Sequence, residues 1–249
     1  SLVNELEEHA GASCRIGIGT PGALSRKTGR IKNSNTTCLI DQPLQADLSA
    51  LLKREIRMEN DANCFALSEA LDGAGQGQAI VFGMILGTGV GGGIVVNQQL
   101  LTGLQSITGE WGHNPLCPDG PRCYCGRRGC IETFLSGPAL AADYARRGGE
   151  PTTTAQTIAA LAEDNDPLAQ DVLSVFFNYF GQALATIINI LDPHVVVIGG
   201  GLSCIDALYS RGREAAAPYV FNDEFATPIV SNINGDSAGV RGAAQLWPA

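Results

Sequence analysis

The sequence predicts an α/β protein, and three observations point to that fold class. Strand patterns and helix patterns alternate along most of the 249 residues. Two apolar strand patterns run directly into glycine blocks, at 87–93 and 199–201. The composition, with 45% hydrophobic and 16% charged residues, is that of a globular chain with a substantial core.

The elements of the first half follow from periodicity and from chain-breaking residues. An amphipathic helix over 2–9 comes first, followed by a buried strand over 14–19 that a Thr-Pro-Gly break ends. Helices are then predicted over 46–54 and 61–71, and strands over 56–60, 79–86 and 93–97. The last two strands flank the glycine-rich segment 87–92 and are expected to form a hairpin.

The second half is irregular over 100–129 and then mostly helical. Asp166 and Pro167 supply an N-cap and a first-turn proline, and they open a long helix that stops at Asp192 and Pro193. The other helices are predicted over 131–146, 152–163, 205–217 and 238–246, with one buried strand over 194–201.

Charge and composition argue against several functions. A formal net charge of −9, from 16 Lys and Arg against 25 Asp and Glu, argues against a nucleic-acid-binding face. The segment 1–10 lacks the basic and apolar regions of a signal peptide, and no segment is expected to cross a membrane. The chain is too large to need its eight cysteines as a disulfide framework, so we expect a cytoplasmic protein with reduced thiols.

Asp61 is the main candidate for a catalytic group. It stands where a predicted strand ends and a helix begins, so its carboxylate can simply cap that helix. Alternatively, it is a general base that accepts the proton of a substrate hydroxyl during phosphoryl transfer. Asn60 beside it offers a donor and an acceptor, which suits a polyol substrate.

The two glycine blocks are candidate phosphate and nucleotide sites. The residues concerned are Gly87, Thr88 and Gly89 in the first block, and Gly199, Gly200 and Gly201 in the second. Backbone N–H groups at such strand ends can face a phosphate or approach a flat ring, although a hairpin turn is the simpler explanation of the first block alone. Neither block has the spacing of a dinucleotide fingerprint or a P-loop, and it is their occurrence together that favours a nucleotide cleft.

A cysteine-rich segment supplies a set of metal ligands. Cys123, Cys125 and Cys130 have the spacing C-x-C-x4-C, and His113 precedes the first of them by ten residues. One histidine and three cysteines complete a tetrahedral structural zinc site, which leaves no open position for catalysis. An iron–sulfur cluster normally needs four cysteines, and C-x-C is a tight pair to bridge as a disulfide. Cys117 is a spare thiol that can compete as a ligand.

Two carboxylates flank these ligands in the sequence. Glu110 lies three residues before His113, and Glu132 lies two residues after Cys130. Glu132 either favours the first turn of the next helix through the helix dipole, or is held by the metal loop to accept hydrogen bonds from sugar hydroxyls.

Seven segments together resemble the ROK family of sugar kinases and sugar-responsive repressors. They are "GIGTPG" (17–22), "NDANCFALSEA" (60–70), "GTGVGGG" (87–93), "GEWGH" (109–113), "CYCGRRGCIE" (123–132), "LDPHVVVIGGG" (191–201) and "GDSAGVRGAA" (235–244). The resemblance implies an actin-like (ribonuclease H-like) ATPase fold of two α/β domains around a cleft. It places the small domain over 1–72 plus 239–249, and the large domain with the zinc loop over 73–238.

The resemblance also implies roles for individual residues. Asp61 matches the family's catalytic base, which deprotonates the 6-hydroxyl of a hexose. The implied sugar-binding residues are Gly22, Asn35, Asn60, Asp61, Glu110, His113 and Glu132; the ATP-binding residues are Gly87, Thr88, Gly89, Gly199, Gly200 and Gly201; the zinc ligands are His113, Cys123, Cys125 and Cys130. Mg²⁺ is expected to accompany ATP and to offset charge on its phosphates.

The resemblance leaves the sugar and the class of protein to be decided. The fructokinase-type members are most similar, so fructose is the expected substrate, with N-acetylglucosamine next and glucose or mannose behind. The competing class is a sugar-sensing repressor with a DNA-binding segment ahead of this region, against which stand Asp61, both glycine motifs and the lack of a basic stripe. An inactive sugar-binding remnant is a third alternative.

One family feature is missing from the chain. The family opens with a strand and hairpin bearing an Asp-x-Gly-Gly-Thr phosphate motif, and no such motif occurs here. We therefore expect this chain to bind sugar better than it transfers phosphate. The family resemblance also implies a homodimer.

Overall fold

The computed structural model describes residues 2–247, in which helices and strands alternate as the sequence predicts. The helices are α1 (Leu2–Ala10), α2 (Leu44–Leu52), α3 (Asp61–Asp72), α4 (Glu132–Leu135), α5 (Gly137–Arg146), α6 (Ala155–Glu163), α7 (Pro167–Leu191), α8 (Ala207–Ala216) and α9 (Ala238–Ala244). The strands are β1 (Ile16–Thr20), β2 (Ala23–Leu24), β3 (Ile31–Lys32), β4 (Ile56–Asn60), β5 (Ile80–Leu86), β6 (Val90–Val96), β7 (Gln99–Leu100), β8 (Val195–Gly199) and β9 (Ile229–Ser231).

Parallel pairing brings several strand ends together. β1 and β4 are parallel, with Thr20 opposite Asn60, so the residues that follow these two strands lie side by side. The larger sheet has the order β7-β6-β5-β8-β9, in which β5 is antiparallel to β6 and parallel to β8. The carboxyl ends of β5 and β8 therefore meet at one edge of this sheet, where the two glycine blocks begin.

The apolar helix α7 belongs to the larger hydrophobic core. Phe176, Phe180 and Leu184 on this helix are buried, and α7 packs against α5, α6 and α8. Its length and a mean hydropathy of 1.3 over 18 residues would also suit a membrane span, contrary to the expectation from sequence. Half of that 18-residue window is buried inside the protein, so the hydropathy is that of a core helix.

Helix α3 approaches the larger sheet closely because two strand positions are glycine. A Cβ on Gly83 or Gly93 would lie 2.6 or 2.7 Å from the Ala66 Cβ. Glycine at these two positions allows the helix to pack directly on β5 and β6. This contact fixes the first turn of α3, with Asp61, relative to the turn between those strands.

Helix α9 links the end of the described chain to its beginning. It packs against α3 and against β1. These contacts join the two segments that were predicted to form a small domain, 1–72 and 239–249. The boundaries of that domain stay a prediction, and Ser1, Pro248 and Ala249 lie outside the described residues.

Most element ends differ from the predicted bounds by one to three residues, and four differences bear on the site or add strands. The predicted helix 131–146 is two helices, because Ser136 is extended and its hydroxyl accepts the Ala139 N–H to cap α5. The strand predicted over 194–201 ends at Gly199, since Gly200 turns away with φ +84°. The strand expected over 93–97 begins at Val90. Four further strands, β2, β3, β7 and β9, are only two or three residues long, too short for a periodic pattern.

Candidate active site

A polar cavity lies between the start of α3, the β5–β6 turn and the segment 109–132. Every residue assigned to sugar binding from the sequence lines it: Gly22, Asn35, Asn60, Asp61, Glu110, His113 and Glu132. Gly87, Thr88 and Gly89 line the same cavity. Asn33 and Tyr124 also line it and were not predicted. The signal that could have identified Tyr124 as a cavity residue is its place between Cys123 and Cys125, the C-x-C pair of the metal segment.

Asn60, and not Asp61, is the N-cap of α3. The Asn60 Oδ1 accepts hydrogen bonds from the N–H groups of Ala62 at 2.9 Å and Asn63 at 3.3 Å. Its Nδ2 donates to the Gly22 carbonyl at 3.0 Å, which ties the loop after β1 to the start of the helix. Asp61 is the first helical residue, and its Oδ1 accepts from the Ala62 N–H at 2.8 Å. The capping function is thus fulfilled by Asn60, and Asp61 faces the cavity.

The surroundings of two carboxyl groups favour their neutral forms. The Asp61 side chain is open to solvent within the cleft, yet the cavity walls remove enough water to raise its pKa, against the effect of hydrogen bonds from Ala62 and Asn60. Burial likewise raises the pKa of Glu110, and the carboxylates of Asp61 and Glu132 add to this shift while His113 opposes it. A raised pKa makes Asp61 a better proton acceptor than an aspartate in water.

His113, Cys123, Cys125 and Cys130, the predicted zinc ligands, lie together in an arrangement compatible with a metal ion. Their ligand atoms all lie within 4.8 Å of one another. The His113 Nδ1 is 3.5 Å from the Cys123 Sγ, and the Sγ atoms of Cys125 and Cys130 are 3.6 Å apart. Tetrahedral zinc requires about 3.6 Å and about 3.8 Å for such pairs, whereas a disulfide requires about 2.0 Å. Cys117, the spare thiol, is not in this group.

The second nitrogen of His113 contacts a tyrosine. Its Nε2 lies 3.0 Å from the Tyr124 hydroxyl, and the two rings meet edge to face with centroids 5.1 Å apart. Tyr124 therefore occupies the position from which this nitrogen could contact a sugar hydroxyl directly. Burial and the nearby carboxylates of Glu132 and Glu110 raise the pKa of Tyr124 to about 12, so the hydroxyl keeps its proton.

Glu132 joins the metal group to the β5–β6 turn. Its Oε2 accepts a hydrogen bond from the Val90 N–H at 3.0 Å, while its Oε1 lies 4.0 Å from the Cys123 Sγ. Gly89 packs against the same carboxylate, because a Cβ at that position would be 2.7 Å from Oε2. Glu132 is also the first residue of α4, where its charge favours the helix dipole. This explanation of Glu132 is compatible with the other one, that the metal loop holds its carboxylate in the cavity.

A second cavity adjoins the first at the same turn. Gly87 and Thr88 line both cavities, and the second one continues along α5 and α6 to Gly201. Gly199 and Gly200 do not line it: Phe65 packs where a Gly199 side chain would be, and Gly200 has a positive φ. The assignment of these two glycines to ATP therefore stays a prediction.

The β2–β3 hairpin contacts the loop that follows β7. Arg26 donates to the hydroxyls of Ser106 and Thr102, both at 3.1 Å. The Lys32 Nζ donates to the Gln105 carbonyl at 2.7 Å. The hairpin leads directly into Asn33 and Asn35, so these contacts hold one wall of the cavity in place.

Comparison with known proteins agrees with this arrangement. The family model described as "ROK family" matches residues 1–249. The N-acetyl-D-glucosamine kinase of Yersinia pseudotuberculosis serotype O:3 (strain YPIII) is 39% identical over 255 residues, which cover 98% of this chain and 84% of that protein. The crystal structure of a ROK hexokinase from Thermus thermophilus matches with a TM-score of 0.85 and 33% identity, covering 97% of this chain and 81% of that one.

Two further solved structures widen the range of functions on this fold. A ROK family glucokinase from Streptomyces griseus, in complex with glucose and AMPPNP, matches with a TM-score of 0.83 and 27% identity, over 98% of this chain and 86% of that one. A ROK family transcriptional regulator, a homolog of the Escherichia coli MLC protein, matches with a TM-score of 0.84 and 28% identity, over 98% of this chain and 66% of that one. Fold similarity alone therefore does not separate kinases from regulators.

The fold is that of the actin-like ATPases. The chain belongs to the ROK family, within which it is an ATP-dependent sugar kinase. The expected preference for fructose finds no support, because these kinases are named for N-acetylglucosamine, hexose and glucose.

Proposed function

We propose that the protein phosphorylates the 6-hydroxyl of N-acetylglucosamine with ATP. One observation carries the proposal: Asp61 and the Gly87–Gly89 turn line the same polar cavity, and that turn also borders the second cavity. A sugar hydroxyl beside Asp61 would thus lie next to the γ-phosphate of a nucleotide in the second cavity. The choice of sugar is supported by the 39% identity to an N-acetyl-D-glucosamine kinase.

The residues divide the work of phosphoryl transfer between them. The Asp61 carboxylate accepts the proton of the 6-hydroxyl as that oxygen attacks the γ-phosphorus, and the bond from phosphorus to the ADP oxygen breaks. Asn60 and Glu132 orient the sugar ring by hydrogen bonds to its hydroxyls. The backbone N–H groups of Gly87 and Gly89 and the Thr88 hydroxyl face the phosphates and stabilise their charge.

Mg²⁺ fits this site as a companion of the nucleotide. The described residues that line the second cavity include glycines, threonines and Gln156 but no carboxylate. The ion would therefore take its ligands from phosphate oxygens and water, as Mg²⁺ commonly does. When bound, it offsets the charge that develops on the transferred phosphoryl group.

Zinc fits the group formed by His113 and the three cysteines. Two of the interatomic distances match those of a closed tetrahedral site, in which the metal would have a structural function and activate no water. His113 and the segment of Glu132 then form one rigid wall of the sugar cavity.

Three further assignments belong to this proposal. We retain the two-domain division at residues 72/73 and 238/239, the homodimer and the cytoplasmic location as predictions. Unpaired thiols at all eight cysteines among the described residues support a reducing compartment. The structural similarity to the transcriptional regulator makes sugar sensing an outcome that the experiment must distinguish from catalysis.

The experiment is an ADP-release assay of the complete gene product with Mg-ATP and single sugars. N-acetylglucosamine should give the highest kcat/KM, ahead of glucose, mannose and fructose. ADP release with none of these sugars, together with sugar-dependent DNA binding, would favour the regulator. A best activity on fructose would overturn the choice of sugar but not the choice of reaction.

A further inference from the structure

Tyr124 has an unusual position between the metal group and the sugar cavity. Tyr124 lies between two of the cysteine ligands, Cys123 and Cys125, in the sequence. A metal bound by these two cysteines would therefore also hold the Tyr124 backbone in place. The residue is 58% exposed and lines the cavity. Its ring packs on the edge of His113, which leaves the hydroxyl at the cavity surface.

The hydrogen bonding of His113 leaves the Tyr124 proton free. The His113 Nδ1 faces the Cys123 Sγ at 3.5 Å, where a lone pair is needed for a metal ligand. With a metal held at Nδ1, the imidazole proton would be on Nε2 and would be donated to the Tyr124 oxygen, which lies 3.0 Å away. The Tyr124 hydroxyl already accepts this bond, and its own proton remains available to a ligand.

The other side chains of this wall accept hydrogen bonds. In their ionised form Glu110 and Glu132 have acceptor oxygens only, and both nitrogens of His113 are engaged. Among Glu110, His113, Tyr124 and Glu132, the four side chains of this wall, Tyr124 is therefore the one whose donor does not depend on protonation of a carboxyl group.

An acetamido group needs such a donor, whereas a hydroxyl does not. The carbonyl oxygen of an N-acetyl group can only accept, and its methyl group is apolar. A hydroxyl at the same carbon of glucose can instead donate to the carboxylates of Glu110 or Glu132. The phenol ring of Tyr124 offers apolar surface beside its hydroxyl, which matches the methyl group beside the carbonyl.

We infer that Tyr124 is a specificity-determining residue, whose hydroxyl donates to the acetamido carbonyl of the sugar and whose ring packs against the acetamido methyl group. This inference rests on the proposed sugar-kinase function and names the part of the substrate that the metal loop recognises. It assigns the loop a direct contact with the sugar in addition to the rigid support of the cavity wall.

The test is calorimetric binding of N-acetylglucosamine and of glucose to zinc-loaded protein, with and without Tyr124→Phe. Loss of one hydrogen bond should raise the Kd for N-acetylglucosamine about tenfold and change that for glucose less than about twofold. Tyr219→Phe is the matched control, because that exposed tyrosine bonds Asn178 far from the cavity and should leave both Kd values unchanged. The zinc content of each variant is measured in parallel.

The possible results separate the inference from the proposed function. Equal changes for both sugars, or no change for N-acetylglucosamine, would overturn the role of Tyr124. Loss of zinc from the Tyr124→Phe protein would also overturn it, because the residue would then act on the loop and not on the sugar. Failure of the unaltered protein to bind either sugar would overturn the proposed function itself.

Discussion

The Glu132 carboxylate accepts a hydrogen bond from the Val90 N–H at 3.0 Å, and this contact joins two segments that are 42 residues apart. One segment carries the metal ligands, and the other is the glycine turn that borders both cavities. The proposed sugar site is therefore coupled to the proposed phosphate-binding turn through one side chain. Movement of either segment is expected to change sugar binding.

A methyl group on Gly89 tests this coupling. In Gly89→Ala the new Cβ would lie 2.7 Å from the Glu132 Oε2, so the carboxylate must move away from Val90. We expect sugar affinity to fall about tenfold, since small displacements of positioning groups have large effects. Gly239→Ala is the control, because its Cβ meets no atom within 4 Å. Unchanged affinity in the Gly89→Ala protein, measured by calorimetry, would show that the carboxylate position is unimportant.

Loss of one metal ligand should weaken metal and sugar binding together. Cys125→Ser removes a thiolate from the zinc group, and we expect zinc affinity to fall at least about a hundredfold. Because the same loop supports His113 and Glu132, sugar affinity should fall with it. Cys117→Ser is the matched control, since that thiol lies outside the group. Full sugar affinity in zinc-free Cys125→Ser protein would separate the metal from the cavity wall.

The contacts of the β2–β3 hairpin should matter for sugar binding more than for chemistry. Arg26→Ala removes two hydrogen bonds, to Ser106 and Thr102, that join the hairpin to the loop after β7. We expect KM for the sugar to rise about threefold to tenfold with little change in kcat, because each exposed bond contributes about 1 kcal/mol or less. Arg30→Ala on the same hairpin is the control, since its partner Asp41 is local. Equal effects of the two variants would contradict this role.

The pH dependence of the reaction should reflect the raised pKa of Asp61. A general base must be deprotonated, so kcat/KM should fall on the acid side at a pH above the usual pKa of aspartate.

The raised pKa of Asp61 should also make the stability of the protein depend on pH, in the opposite direction to that of a salt-bridged carboxylate. A pKa raised by folding contributes stability that is lost as pH rises through the folded pKa, so Asp61→Asn should raise Tm at pH 7 more than at pH 4. An equal Tm change at both pH values would contradict the raised pKa.

Local sequence patterns predict the long elements and most of the site, for physical reasons that can be named. The Asp166–Pro167 start defines α7, and the strand Ile56–Asn60 is observed with its predicted bounds. The metal group is likewise predictable, because the spacing of its ligands is itself the chemical signal. Every predicted sugar-binding residue lies on one cavity, although their assignment to sugar remains a prediction.

What the sequence could not supply depends on contacts between distant segments. Either Asn60 or Asp61 can cap a helix by type, and only the pairing of β1 with β4 places Gly22 where Asn60 bonds its carbonyl. The short strands β2, β3 and β9 form because neighbouring segments pair with them. Such pairing leaves no hydrophobic periodicity in the local sequence. Tyr124 was missed because its role depends on the orientation of the His113 ring.

The most direct test of the proposed reaction is the effect of Asp61→Asn on binding and on turnover in the complete gene product. Asparagine keeps the size and hydrogen bonding of the side chain but accepts no proton, so the Kd for N-acetylglucosamine should stay within about threefold while ADP release falls about 10²-fold to 10⁴-fold. Asp223→Asn, at an exposed loop position, should leave both unchanged. Turnover of the Asp61→Asn protein close to that of the unaltered enzyme would contradict the assignment of Asp61 as the base.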